Sequence, residues 1–307
     1  MDEARTLAEK RDNLLIRARM IQAIRVFFIT RDYLEIETPC LTPAPAPEPH
    51  IEAFACGRLF LHTSPELYMK RLLAAGYPKL FQICRCFRGG ERGDFHLPEF
   101  TMLEWYHTGK NYRDLMTDCE DLIVAVAHGL GFGDEVPYGR HKISLQTPWE
   151  RIPLPSLFAR HSSIPLNEAL DRGLFDEIMV DRIEPHLGRE RPAFIYDYPL
   201  SPGSLARTKG EDEGLVERFE LYVGGLEVAN AFSELTDALE QRQRFAEAER
   251  ERRAAGKAAY PPAERFLLAL ETMPEAAGIA LGVDRLAMIF TDSPTIDCVV
   301  AFAPEFL

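Results

Sequence analysis

Two arginines and four glutamates are the residues of this chain whose types and settings suit chemistry. Arg88 closes the apolar stretch FQICRCF and opens the loop Gly89-Gly90, and Arg285 follows Gly282 where a small-residue stretch turns into an apolar one. Arginine suits phosphate because its planar fork donates paired hydrogen bonds and stays charged. A neighbouring glycine lets a nucleotide approach the backbone closely. The same two residues also read as surface salt-bridge partners. The acidic set is Glu66, Glu104, Glu227 and Glu234, the last two within the small-residue segment LEVANAFSEL. In a regular strand the odd separation of Glu227 and Glu234 puts them on opposite faces, unless a bulge intervenes. A shared Mg²⁺, which takes one or two carboxylates plus phosphate oxygens, is the other way to join them. Taken singly, each glutamate reads as an ordinary structural carboxylate.

The remaining polar candidates are weaker. His96 could touch phosphate from its loop, but a lone loop histidine reads as incidental. The six cysteines are too sparse for a disulfide framework. Cys84 and Cys86 sit two apart, which on a strand points both to one face. They read as buried reduced thiols, because no second Cys/His pair completes a metal set. The sequence has no Walker loop, no GxGxxG and no GxSxG.

The elements that must position these residues follow from periodicity. Helical spacing runs over 12–29 with Asp12 as the expected N-cap, and alternation over 33–39 predicts a strand closed by Pro39. The 43–49 stretch, PAPAPEP, is a stiff extended loop. A helix over 65–75 precedes strands at 79–87 and 99–106, whose unusually long connecting loop has the look of a functional one. A helix is expected over 112–130, a buried strand over 193–198, and a mobile glycine-rich loop over 201–214. A hairpin is expected around Gly224-Gly225, then a charged, solvated helix over 238–256 and a strand running into a helix over 278–290. The segment 146–191 carries no identifiable chemistry.

With 307 residues, 46% of them hydrophobic, the chain buries a substantial core, and without a repeat or clear linker it reads as a single domain, 1–307. The formal net charge of -13 argues against a protein whose main work is gripping phosphate backbones. The charged first eleven residues offer no signal peptide, and no apolar run is long enough to cross a bilayer. The expectation is a cytoplasmic protein with no membrane association.

These pieces line up with a family. The helix, strand and Pro39 resemble motif 1 of class II aminoacyl-tRNA synthetases, FQICRCFRGGERGDFHLPEFTMLEWY resembles their motif 2, and GIALGVDRLAM their motif 3. TSPELYMKRLL, PEFTMLEWY and ANAFSELTD are similar to the lysine-specific subgroup. Motif 1 begins almost at the N-terminus, where a bacterial lysyl-tRNA synthetase would first carry an OB-fold anticodon-binding domain. That absence, with EFTMLEWY and GIALGVDR, resembles the elongation factor P–lysine ligases, a paralogous family that attaches (R)-β-lysine to a lysine side chain of elongation factor P.

The resemblance implies an α/β (α+β) class II catalytic fold, an antiparallel sheet flanked by helices, homodimeric through motif 1 and without tRNA anticodon binding. It implies ATP and Mg²⁺, an aminoacyl-adenylate, and elongation factor P as the protein substrate. By position, Arg88 holds the α-phosphate and the amino acid's carboxylate, with Gly89, Gly90 and Leu97 alongside. Arg285 takes the γ-phosphate and one adenine face, and Phe100 the other. Val228 and Gly282 line the nucleotide pocket, and Glu227 and Glu234 hold the metal. Ser64, Pro65 and Glu66 bind one substrate amine, and Glu104, Tyr106 and Glu234 the distal one. The sequence departs from the family where Gly90 replaces a glutamate (Glu91 follows it) and where Leu97 replaces an asparagine. Ala280 stands where tRNA-charging enzymes have glycine, which narrows the amino-acid pocket. Two other readings share these motifs: an adenylate-forming enzyme with a small RNA or free amine as acceptor, and a non-catalytic amino-acid or nucleotide sensor.

Overall fold

A computed structural model describes residues 3–201, 204–210 and 212–306. Its centre is an antiparallel sheet in the order Lys79–Phe87, Glu99–Thr108, Ala276–Gly282, Leu226–Ser233, Asp212–Val223, Ala193–Pro199. Two short edge strands run parallel to their neighbours: Leu34–Glu35 beside the Lys79–Phe87 strand, and Glu150–Pro153 beside the Ala193–Pro199 strand. The antiparallel sheet expected from the sequence is therefore present, with parallel edges. Of the strand expected over 33–39, only Leu34–Glu35 pairs.

Alternation along the strands divides the sheet into two faces. Phe81, Leu103, Trp105, Ala231, Ile279 and Leu281 are buried on one face. Helices Arg11–Ile29 and Tyr112–Gly129 cover that face. The first buries Met20, Ile24, Phe27 and Phe28, a helical stripe that stacks Phe28 on Phe81 at 4.8 Å and sets it 5.2 Å from Trp105. Truncating Phe81 or Trp105 to alanine removes about 3–5 kcal/mol of stability. The opposite face carries Gln82 opposite Glu104, Cys84 opposite Met102 and Cys86 opposite Phe100, with Ala280 flanked by Glu104 and Asn230. Among the described residues no long helix seals this second face, and the polar candidates gather there.

Several local details differ from the sequence reading. The first long helix is capped at Lys10, and Asp12 lies in its first turn, where the helix dipole favours it. The Tyr112–Gly129 helix starts in a capping box of Asn111 and Asp114. Of the loop expected over 201–214, residues 202, 203 and 211 lie outside the described residues. Within the rest, Thr208 and Lys209 pair with the strand Asp212–Val223, so ladder replaces loop. Over 154–195 a second apolar cluster, including Leu157, Phe158, Ile183 and Ile195, packs the far end of the sheet.

The charged helix Ala238–Ala254 is not simply a solvated surface. Gln241, Arg244 and Arg252 are buried. Arg252 donates to the backbone oxygens of Glu48 (3.0 Å) and Ile51 (2.9 Å) and to the Glu52 carboxylate (3.0 Å), and stacks 3.9 Å over the Tyr260 ring. These contacts pin the end of the proline-rich loop against the open face. Ala44, Pro45 and Glu48 of that segment share a crevice with Ser64 and Glu66.

Candidate active site

A cavity of about 210 Å³ opens on the uncovered face, lined by Arg88, Leu97, Phe100, Glu227, Val228, Ala280, Gly282 and Arg285. Arg88 stands where the Lys79–Phe87 strand ends: its backbone N–H donates to Pro98 O at 2.9 Å, and that of Gly89 to Glu52 O at 2.7 Å. Gly90 then turns at φ 79°, a left-handed conformation suited to glycine. The Arg88 guanidinium lies 5.2 Å from the Phe100 ring, and its Nε is buried without a partner. A flat ring and a guanidinium only loosely paired with Glu91, at 3.9 Å, thus face one space.

Arg285 is held more tightly. It donates to Glu227 O at 2.6 Å, to Phe95 O at 3.3 Å and to His96 Nε2 at 2.6 Å. A nitrogen that accepts from a guanidinium carries no proton; burial and the Arg285 charge hold the His96 pKa below its ordinary value. His96 is therefore a support for Arg285 rather than an incidental loop residue. The turn bearing Arg285 is locked by buried Asp284, which accepts from Arg17 at 2.6 Å and from the Thr101 backbone N–H at 2.6 Å. Gly282 caps the following helix at an ordinary φ of -73°, and a side chain there would meet only Arg285. It keeps the cavity floor open rather than relieving strain.

A second subsite lies further along the same face. Ser64 Oγ donates to Glu104 Oε1 at 2.6 Å, Tyr106 donates to Glu104 Oε2 at 2.9 Å, and the Glu66 backbone N–H donates to Ser64 Oγ at 3.0 Å. Pro65 caps the helix Glu66–Ala74. One turn into it, buried Lys70 meets the Glu66 carboxylate at 2.6 Å and that of Glu234 on its other side. Gly278 allows this packing, since a Cβ there would lie 2.1 Å from Tyr106 and 2.4 Å from Glu234 Oε1. Burial, with the charge of Glu66, pushes the Glu104 carboxyl well above the ordinary range. Burial pushes Glu234 up to about 8, although Lys70 pulls the other way. Full ionisation of Glu66, Glu104 and Glu234 against Lys70 alone would leave a net charge of -2 in a water-poor pocket, which is why Glu104 and Glu234 hold their protons until cations arrive. Such a pocket wants two positive charges.

The proposed metal pair separates. Tyr222 pairs with Glu227 and Leu221 with Ala229, so Val228 is the extra residue of a β-bulge. The bulge restores Glu227 to the face of Asn230 and Phe232, but at about 3.3 Å per residue it stands roughly 20 Å along the strand from Glu234. Glu227 belongs to the arginine-lined cavity and Glu234 to Lys70. One ion does not bridge them. The carboxylate beside Glu227 is Glu220, across the hairpin: burial raises its pKa, and the Glu227 charge raises it further. Glu220 is held by Tyr198 at 2.6 Å, Tyr222 at 3.0 Å and Arg218 at 2.6 Å. Two mutually repelling carboxylates beside a phosphate-sized cavity fit a divalent cation.

The family model for class II tRNA synthetases (D, K and N) matches residues 5–305. The chain belongs to the class II tRNA synthetase family. Among curated proteins, this class II synthetase is 41% identical to the elongation factor P–(R)-β-lysine ligase of Edwardsiella ictaluri, over 95% of each chain. It is 40% identical to the proteins of the same name from Salmonella arizonae, over 95% of each chain, and Proteus mirabilis, over 94% of each.

In this class II synthetase the structure brings the arginines expected from the sequence to one cavity and Glu66, Glu104 and Glu234 to one cage; the sequence reading did not single out Lys70, Glu220, Arg17, Asp284 and Arg252. For Asp284 a signal existed, since an acid beside Arg285 at the strand-to-helix turn needs a partner when buried. For Glu220 it lay in the alternation of FELYV, which the bulge at Val228 turns toward Glu227. For Lys70 and Arg252, helical and charged as they are, nothing local marks burial.

Proposed function

We propose that this ligase activates (R)-β-lysine with ATP as an aminoacyl-adenylate and transfers the β-lysyl group to a lysine side chain of elongation factor P. The observation that carries this reading is the cage of three carboxyl groups, Glu66, Glu104 and Glu234, around Lys70 beside an arginine-lined cavity on one sheet face. A substrate with two ammonium groups fills the cage, and its carboxylate is thereby aimed toward Arg88. The names of the relatives agree with this pairing of donor and acceptor.

In the first step the substrate carboxylate attacks the α-phosphorus in line, forming a C–O–P anhydride while pyrophosphate leaves. Arg88 and Arg285 neutralise the charge that develops on the phosphate oxygens, and Phe100 supplies a flat surface for adenine. Magnesium, held at Glu227 with Glu220, would supply charge neutralisation on the triphosphate. In the second step the neutral lysine amine of the acceptor attacks the acyl carbon, the acyl C–O bond to phosphate breaks as the amide forms, AMP leaves, and the amine's surplus proton passes to solvent. Neither step needs a nucleophile from this chain.

Ala280 sits opposite Glu104, where its methyl shortens the space between the anhydride and the amine cage; this favours a β-amino acid over its α isomer. The matched residues 5–305 act as one catalytic unit. A homodimer forms on the motif 1 side, where Val26, Ile29 and Leu34 are exposed apolar residues. The location is cytoplasmic, with the acceptor; among the described residues no helix is long and apolar enough to cross a membrane.

Intact-mass spectrometry of elongation factor P, incubated with this chain, ATP, Mg²⁺ and either lysine isomer, tests the proposal. A gain of one lysyl unit, greater with (R)-β-lysine, is expected. Pyrophosphate release without any mass gain would keep the adenylate and reject this acceptor.

A further inference from the structure

Beside the amine cage is a group of side chains that the ligase chemistry does not use. His62, Cys84 and Cys86 bring one ring nitrogen and two sulfurs within 4.8 Å of one another. The two sulfurs are 3.9 Å apart. Because the cysteines alternate with Ile83 and Arg85 on the strand, both point to the open face, with Cys86 opposite Phe100 and Cys84 opposite Met102. His62 reaches them from the segment just before the Ser64 turn. Its backbone is fixed there by His62 N donating to Cys40 O (2.8 Å) and Phe87 N donating to His62 O (3.0 Å).

The imidazole is prepared for a ligand. His62 Nε2 lies 2.6 Å from Arg85 O. A carbonyl oxygen only accepts, so Nε2 carries the proton and Nδ1 the free lone pair. Nδ1 is buried with no hydrogen-bond partner, in a residue only 1% exposed. A ring N–H anchored on a backbone carbonyl, with the other nitrogen unspent, is the arrangement of a metal-ligating histidine.

We propose that His62 Nδ1, Cys84 Sγ and Cys86 Sγ form a binding site for one thiophilic metal ion, of which Zn²⁺ fits best, in the floor of the amino-acid pocket. Tetrahedral zinc with Zn–S bonds of about 2.3 Å sets its sulfurs about 3.8 Å apart, close to the separation present. A Cys₂His set leaves a fourth position open. Half-buried Cys84 gives the approach, and buried Cys86 and His62 keep bulk water away. Binding exchanges two S–H protons for two metal–thiolate bonds, with the protons released to solvent and no oxidant required. Since Gln82, the next residue of this face, lies opposite Glu104, an ion here sits between the adenine-facing Phe100 and the amine-binding Glu104. The metal site stands on its own geometry. Its consequence, that zinc antagonises amino-acid binding, rests on the proposed function.

Titration of the reduced, chelator-treated full chain with Co²⁺ tests the site directly, because thiolate coordination produces a charge-transfer absorption that carboxylates do not. One ion per chain is expected, its absorption reduced by C84S and by C86S and unaffected by joint substitution of the exposed Cys40 and Cys56 with serine. H62A should weaken affinity by at least the roughly tenfold that loss of even an outer partner costs a metal site. Serine is nearly isosteric, and a matching thermal melt certifies the fold of each variant. Absorption that survives both C84S and C86S, or that vanishes with Cys40 and Cys56, overturns the proposal. A second readout separates it from the ligase reading: Zn²⁺ should slow modification of Cys84 by a thiol reagent, whether or not the chain ligates any acceptor.

Discussion

The Lys70 ammonium lies against the Glu234 carboxylate with both side chains almost wholly removed from water, and Glu66 meets the same ammonium at 2.6 Å. The amine pocket therefore carries an internal cation that holds its carboxylates together before a substrate arrives. Burial opposes the charge on Lys70, but Glu234 and Glu66 outweigh it and raise its pKa.

Removing that cation leaves uncompensated buried carboxylates. Lys70→Met should cost about 3–5 kcal/mol of stability, the range for breaking a buried ion pair from one side. Denaturant unfolding at neutral pH measures this. An unchanged midpoint would mean that Lys70 is a bystander.

Glu234 contributes to the amine cage and not to the nucleotide cavity. Glu234→Gln should raise KM for the amino acid roughly tenfold to a hundredfold, the weight of a hydrogen bond to a charged group, with KM for ATP unchanged. Amino-acid-dependent pyrophosphate exchange separates the two constants, and a parallel rise in both would contradict this division of the site.

The raised pKa of Glu234, about 8 against an ordinary 4.5, has a signed consequence for pH. Between those values the native carboxyl keeps a proton that the unfolded chain has lost. Its stabilising contribution is complete below about pH 4.5 and is lost as pH rises through about 8. Thermal melts of the ligand-free wild type should fall between about pH 5 and about pH 8 and level off above, more than those of Glu234→Gln. The ionised form is the one that binds an ammonium, so KM for the amino acid should decrease as pH rises through about 8.

Asp284 ties the turn before Arg285 to Arg17 and Thr101. Asp284→Ala should destabilise the chain by about 3–5 kcal/mol and, where it still folds, lower the activation rate by misplacing Arg285. Arg17→Ala should show the same pattern. Wild-type melting and kinetics in either variant would remove the turn from the catalytic account.

Ala280→Gly deletes the methyl group opposite Glu104. It should shift the preference toward α-lysine by roughly tenfold, about what one methyl-sized change in a pocket is worth. Competition between the two isomers in the pyrophosphate assay reads the shift, and an unaltered ratio would place donor selection elsewhere.

Much of this was legible in the chain before folding. Candidate site residues set on a local turn keep their spacing in the sequence: Arg88 before two glycines, Ser64-Pro65-Glu66 at a helix start, Arg285 just past a strand. That Cys84 and Cys86 share one strand face was equally visible, because alternation is a local property of strands. Where the alternation rule failed, at Glu227 and Glu234, a single bulged residue was responsible, and bulges leave little trace in composition.

What only the tertiary structure decided are the charges and donors that meet from far apart. Lys70 and Arg252 look like solvated helix positions until the facing strand and loop bury them. Glu220 replaces Glu234 as neighbour of Glu227 because strands pair across a hairpin. His62 joins Cys84 and Cys86 because the segment before the Ser64 turn lies against their strand. The sequence by itself determined the class of chemistry, since that depends on residue types and short spacings. The partners of each charge depend on burial and long-range pairing, which no short spacing encodes.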